Sequence, residues 1–157
     1  MTPHRTALVV NGSQHELLVE PRETLAEILR DRCGLTGTPV SCEQGVCGVC
    51  TVLIDGEPAR SCLRLGVQSD GCEVRTVESL AAADGTLSPL QQEFIDRRAL
   101  QCGFCTAGFL MLGTWLCRQG PVEEDDLVTT LASNHCRCTG YRGILDAVRS
   151  VANGGST

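Results

Sequence analysis

Lysine is missing from this 157-residue chain. All thirteen basic side chains are arginines, set against nineteen acidic ones, for a formal net charge of −6. That balance excludes a phosphate-backbone binder. Aromatic residues make up only 3% of the chain, so stacking platforms for single-stranded nucleic acid are scarce as well. No run of eighteen apolar residues exists, and nothing in the sequence is expected to span a membrane. The longest uncharged stretch, residues 99–117, is broken by Gln101, Thr106 and Thr114 and reads as a buried helix. The apolar segment at residues 7–10 is too short for the core of an export signal. A reducing, cytoplasmic setting is therefore expected. P-loop and Rossmann glycine patterns are absent, which argues against nucleotide binding. No Ser/His/Asp set or carboxylate pair has a catalytic setting, so no catalytic residue is assigned.

What the chain does have is cysteine, eleven in all, with 42% hydrophobic and 20% charged residues. These proportions describe a folding sequence. Residues 6–10 and 16–20 are β-prone, and Asn11-Gly12 between them is a strong hairpin signal, because both residues accept positive φ. Residues 24–32 place Leu25, Ile28 and Leu29 on one helical face. Residues 34–50, rich in Gly, Thr and Cys, read as a loop. Residues 51–54 and 57–63 around Asp55-Gly56 read as a second hairpin, and Pro58 puts its second strand at a sheet edge. Residues 73–77 form a further short strand.

Residues 78–88 read as a linker, and beyond them the period becomes helical. Ser88, Pro89 and Gln91 form a capping signature for a helix with Leu90, Phe94 and Ile95 on its apolar face. Residues 104–118 are apolar nearly all round and should be central. A helix over 123–133 carries Leu127, Val128 and Leu131, and a last one over 142–153 carries Ile144, Leu145, Val148 and Val151. The tail from residue 154 to 157 is expected to be mobile. The fold class is α+β: an N-terminal domain of two hairpins around one helix, residues 1–79, then a four-helix bundle, residues 80–157.

Eight cysteines fall into two sets. Cys42, Cys47, Cys50 and Cys62 have the C-x4-C-x2-C-x11-C spacing of a plant-type [2Fe–2S] site. Gly45 and Gly48 lie between the loop ligands and free backbone N–H groups to point at sulfur. An oxidised cluster with four thiolates carries a formal charge of about −2, so such donors offset a costly burial. Cys102, Cys105, Cys136 and Cys138 are spaced C-x2-C-x30-C-x-C. The first pair begins the central helix and the second just precedes the last helix. Two helix N-termini are thus expected to converge on one anionic group.

Resemblance enters on three segments: Ser41-Cys42-Glu43-Gln44-Gly45-Val46-Cys47-Gly48-Val49-Cys50-Thr51-Val52, Gln101-Cys102-Gly103-Phe104-Cys105-Thr106 and Cys136-Arg137-Cys138-Thr139-Gly140-Tyr141. Together they resemble the small iron–sulfur subunit of the molybdenum hydroxylases, a group that includes xanthine dehydrogenase, aldehyde oxidoreductase and aerobic carbon monoxide dehydrogenase. The resemblance runs from about residue 7 to 152. It implies a β-grasp, ferredoxin-like domain and a helical domain, each with one [2Fe–2S] cluster. It also implies an electron-transfer role beside a large molybdopterin-binding subunit and an FAD-binding medium subunit, as a heterotrimer or a dimer of heterotrimers. On this resemblance Cys102, Cys105, Cys136 and Cys138 hold the cluster near the molybdenum cofactor. Cys42, Cys47, Cys50 and Cys62 hold the one nearer FAD, and Gln101 and Cys138 approach the pterin. Ala107 and His135 depart from the family pattern, which more often has Pro and Leu or Ile there.

Competing readings are weaker. Disulfides need an oxidising compartment, zinc ribbons favour C-x2-C pairs about 15–20 residues apart, and a thioredoxin-like site needs a βαβ setting. Against a stand-alone two-cluster ferredoxin stands the whole helical domain, because a plant-type carrier needs only the first domain, and a zinc-stabilised interaction module would be colourless. A Rieske site needs two suitably spaced histidines, which His4, His15 and His135 do not provide. Cys33, Cys72 and Cys117 are left over and read as buried small apolar residues. His135 reads as a partly exposed turn residue, or as a titratable neighbour of the second cluster. Arg97-Arg98 reads as a solvated face.

Overall fold

The structure is a computed structural model and describes residues 2–154. Residues 155–157 of the expected mobile tail lie outside the described residues. Strand β1 (His4–Val10) turns through Asn11 and Gly12 into β2 (Ser13–Val19). Both turn residues have positive φ, 50° and 81°, as a two-residue hairpin requires. Asn11 also bonds Thr76 twice, its Oδ1 accepting from the backbone N–H and its Nδ2 donating to the hydroxyl, which fixes the turn against the segment that follows the neighbouring central strand.

Thr24 caps helix α1 (Leu25–Glu27) in a capping box with Glu27, a motif that contributes about 1 kcal/mol. The expected nine-residue helix divides here. Residues Ile28–Arg32 form a wider π-turn, closed by Cys33 N–H to the Ile28 carbonyl. The apolar spacing still holds, since Leu25, Ile28 and Leu29 are fully buried.

Strands β3 (Thr51–Ile54) and β4 (Glu57–Arg60) form the second hairpin, and β5 (Glu73–Arg75) completes a sheet ordered β2-β1-β5-β3-β4. β5 runs parallel to β1 and antiparallel to β3, while the other neighbours are antiparallel. β4 is an edge strand, where Pro58 costs no ladder bond. It ends at Arg60 rather than 63, and β5 ends at Arg75 rather than 77, giving way to a 3₁₀ turn, Val77–Ser79.

β3 is buried on both faces. Val52 and Ile54 join Leu8, Val10, Leu25, Leu29 and Val74 in one apolar cluster. The alternation of the strand turns Thr51 and Leu53 the other way, and helix α3 (Thr106–Arg118) packs against β3.

Four helices of eight or more residues follow the sheet among the described residues. α2 (Pro89–Asp96) has the expected Ser88–Gln91 capping box. α3 is central, α4 (Glu124–Leu131) lies against it, and α5 (Arg142–Ala152) contacts α2, α3 and α4. Leu90, Phe94, Phe109, Leu116, Leu127, Leu131, Ile144 and Val148 build a second apolar cluster. Two expected core positions are corrected: Ile95 and Val128 are 54% and 42% exposed. In these two-turn helices one apolar stripe is filled by Leu90 with Phe94 and by Leu127 with Leu131, and the neighbouring residue points away. Trp115 of α3 donates its indole N–H to Glu57 of β4 at 3.1 Å, tying the helix to the sheet edge. No helix among the described residues is long and apolar enough to cross a membrane.

Candidate metal centres

The loop after α1 and the β3–β4 hairpin bring the first four cysteines together. Cys50 stands just before β3 and Cys62 just after β4, both buried, at 2% and 7% exposure. Cys42 and Cys47 lie on the loop, half-buried. The Cys42 sulfur accepts N–H bonds from Cys47 at 3.4 Å and Gln44 at 3.5 Å. These two amides, with the Cys47 thiol, hold Cys42 down at about 6, within the thiolate range at neutral pH. Cys62 is pushed the other way, to about 11, first by burial and then by the neighbouring Cys50 thiol, against an opposing Gly45 amide.

Gly45 and Gly48 both have left-handed φ, 73° and 77°. A Cβ at Gly45 would lie 2.3 Å from the Leu63 side chain, and one at Gly48 would lie 2.0 Å from the Asn134 side chain. The loop is thus closed over its sulfurs in a conformation that L side chains rarely adopt.

The second set sits at two helix starts. Cys105 is the N-cap of α3, with Cys102 one loop turn before it. The expected helix start at 104 moves to Thr106, and Phe104 is left 51% exposed. Cys136 and Cys138 lie just before α5, whose N-cap Tyr141 is itself left-handed at φ 68°. The sulfurs of Cys102 and Cys138 are 3.6 Å apart, and both residues are exposed. Cys105 and Cys136 face each other behind them. Burial and the Cys136 thiol drive Cys105 up to about 12. Burial also raises Cys136, but the Thr139 hydroxyl at 3.1 Å and amide at 3.4 Å outweigh it, and the net shift is downward. Cys138 is raised, chiefly by hydrogen bonding with Cys102.

Pairing is what the donor set has in common. Two thiolates on one tetrahedral metal with bonds of ~2.3 Å stand about 3.8 Å apart, close to the Cys102–Cys138 separation. Among the described residues no three His, Cys, Asp or Glu side chains close around a single point, as one ion would require. Two pairs of thiols facing one another suit a binuclear iron–sulfur group, with Thr139, the loop amides and the helix starts supplying N–H and O–H donors to its charge. All eleven cysteines are free thiols.

The two sets meet through the backbone. His135 N–H donates to the Cys47 carbonyl at 2.8 Å, one residue from Cys136. Tyr141 braces this turn: its hydroxyl accepts from Cys136 N–H at 2.9 Å and donates to the Asn134 carbonyl at 3.2 Å, and its ring packs edge-on against Phe109.

Gln101 and His135 are exposed. Arg97 is not merely solvated, since it pairs with Glu93 and bonds Ser150. The leftover cysteines are half-buried rather than buried: Cys33 lies 3.8 Å from His15 Nδ1, Cys72 3.8 Å from Arg64, and Cys117 rests on the helical core. Sequence reasoning gave Thr139 and Tyr141 no role beyond their place in the quoted motif and passed over Asn134. Only adjacency to Cys136 could have flagged Asn134.

Comparison with known proteins agrees with the geometry. A family described as "2Fe-2S iron-sulfur cluster binding domain" matches residues 8–81, and one described as "[2Fe-2S] binding domain" matches residues 76–149. The chain is 52% identical over 140 residues to the nicotine 6-hydroxylase small subunit of Paenarthrobacter nicotinovorans, covering 88% of this chain and 84% of that one. It is 49% identical over 156 residues to caffeine dehydrogenase subunit gamma of Pseudomonas sp. (strain CBB1), covering 97% and 93%. The crystal structure of quinoline 2-oxidoreductase from Pseudomonas putida 86 superposes with a TM-score of 0.91 at 46% identity, over 97% of this chain and 94% of that one.

Proposed function

Because this chain belongs to the small iron–sulfur subunits of the molybdenum hydroxylases, we propose a specific division of labour within it. The chain is an electron-transfer subunit of an oxidoreductase and binds two [2Fe–2S] clusters. Each cluster, when bound, supplies a one-electron carrier. Cys42, Cys47, Cys50 and Cys62 would hold one within a β-grasp, ferredoxin-like domain, residues 1–79. Cys102, Cys105, Cys136 and Cys138 would hold the other within a four-helix domain, residues 80–157.

The exposed pair Cys102 and Cys138, with Gln101 beside them, faces a large molybdopterin-binding subunit. The loop set faces an FAD-binding medium subunit. The assembly is a heterotrimer or a dimer of heterotrimers, and the substrate is oxidised on the large subunit. The reading is carried by one observation: two sets of paired thiols joined by a single Cys47–His135 backbone hydrogen bond. Around them the chain's own groups hold charge. Amides of Gln44 and Cys47 face Cys42, and Thr139 faces Cys136. Neither a free-standing ferredoxin nor a zinc module is favoured, since the relatives are named as subunits of hydroxylases and dehydrogenases.

Purification of the native complex, with assay of iron, acid-labile sulfide, molybdenum and flavin, tests the proposal. Two binuclear clusters per chain are expected, with molybdenum and flavin in partner subunits. A colourless zinc protein, or a fully iron-loaded chain that runs alone at 16.8 kDa, would overturn it.

A further inference from the structure

Asn134 is 1% exposed, yet neither its Oδ1 nor its Nδ2 has a hydrogen-bond partner. An alkyl side chain of the same branching would fill that space without stranding a donor and an acceptor. Its surroundings show what a flat side chain does there. A Cβ on Gly48 would stand 2.0 Å from Asn134 Oδ1 and 2.6 Å from its Cγ. A Cβ on Gly108 of α3 would stand 3.0 Å from Asn134 Nδ2 and 2.5 Å from the Gly48 carbonyl oxygen. Two backbones without Cβ atoms therefore close on one planar amide.

The residues around it are fixed as well. Arg60 of β4 donates to the Ser133 carbonyl at 2.9 Å and to its hydroxyl at 3.0 Å, and also bonds Thr51. Thr51 in turn donates to the Gly48 carbonyl at 2.6 Å. The next residue after Asn134 makes the hydrogen bond to Cys47.

We propose that Asn134 is a positioning residue for electron passage between the two cysteine sets: its planar amide, packed closely against Gly48 and Gly108, sets how closely the Cys47 carbonyl meets the His135 N–H. Cys47 and Cys136 are joined there through one backbone hydrogen bond and the peptide unit from His135 to Cys136. The inference rests on the two-cluster reading, and it adds that the separation is held by a side chain ligating neither cluster. A tetrahedral branch in place of the amide is thicker and spreads the contact. A carboxyl has the same flat outline and keeps it.

The experiment uses the native complex carrying Asn134→Leu, Asn134→Asp or Gly108→Ala, reduced with dithionite and read by electron paramagnetic resonance. The reading is the magnetic splitting between the two reduced clusters, which weakens as the inverse cube of their separation. Iron and sulfide are counted in each sample. Asn134→Leu is expected to lose the wild-type splitting with both clusters still loaded, and Asn134→Asp to retain it. Gly108→Ala disturbs the same contact from the helix side and loses the splitting too, which keeps the test open if the leucine variant does not fold. A lower melting temperature with unchanged splitting in the loaded Leu and Gly108→Ala variants would overturn the positioning role. So would Asn134→Asp losing the splitting as Leu does. Absence of two clusters from the wild-type complex would instead sink the underlying functional reading.

Discussion

The two cysteine sets hold their charge in different ways. The loop set wraps its sulfurs in backbone: Cys50 and Cys62 are buried between strand ends, and Cys42 is served by two loop amides. The helix set leans on two helix starts and one hydroxyl, with Cys102 and Cys138 left open on the surface of the chain. A loop can shape itself around a charged group and enclose it by itself. Two rigid helix ends can only converge on one side, and the other side stays open at the surface of the chain.

The widest contrast is in iron content. Cys50→Ala and Cys105→Ala should each lose about half of the iron and sulfide, with the loss confined to the set that was cut and electron transfer through the complex abolished. Metal analysis and spectra of the separate clusters check this, and loss of both clusters from either variant would break the distinction.

The next effect spans orders of magnitude in reactivity. Because Cys42 is held near 6, its thiolate persists as pH falls until about that value, whereas Cys105, raised to about 12, stays protonated through neutrality. In cluster-free protein, alkylation followed by mass spectrometry should label Cys42 readily at pH 7 and slow below pH 6. Cys105 should label only as pH climbs toward 12.

Stability separates the glycines of the loop. Gly48→Ala combines a left-handed φ with a collision against buried Asn134 and should cost about 3 kcal/mol. Gly45→Ala has the same backbone strain, but its Cβ meets the tip of Leu63, which is 58% exposed and can swing away, so about 1 kcal/mol is expected. Urea unfolding measures both.

The finest effect concerns the helix set alone. Thr139→Val removes the hydroxyl bond to Cys136 sulfur. That bond favours the more negative, reduced cluster, so its loss should lower the potential by on the order of 40 mV, about 1 kcal/mol for one electron. Redox titration should find the loop cluster unmoved.

Local chemistry made much of this legible. Asn11-Gly12 and Asp55-Gly56 mark hairpins because few other residue pairs tolerate their positive φ. Ser88 and Gln91 mark a helix start through bonds within one turn. Pro58 marks an edge because it lacks a donor. The cysteine spacings were legible for the same reason, since most candidate ligands sit a few residues apart. What escaped the sequence depends on distant chain segments. The place of β5 between β1 and β3 depends on pairing across more than sixty residues. The exposure of Ile95 and Val128 depends on which stripe the neighbouring helices cover. Asn134 matters only because Gly48 and Gly108 arrive from elsewhere in the chain.

The hydrogen bond from Trp115 to Glu57 has an optical consequence. Trp115 is the only tryptophan in the chain, and it bridges α3 to the outermost strand. Its fluorescence is therefore a built-in gauge of that one seam. A red shift on denaturation reports the seam opening without any attached dye.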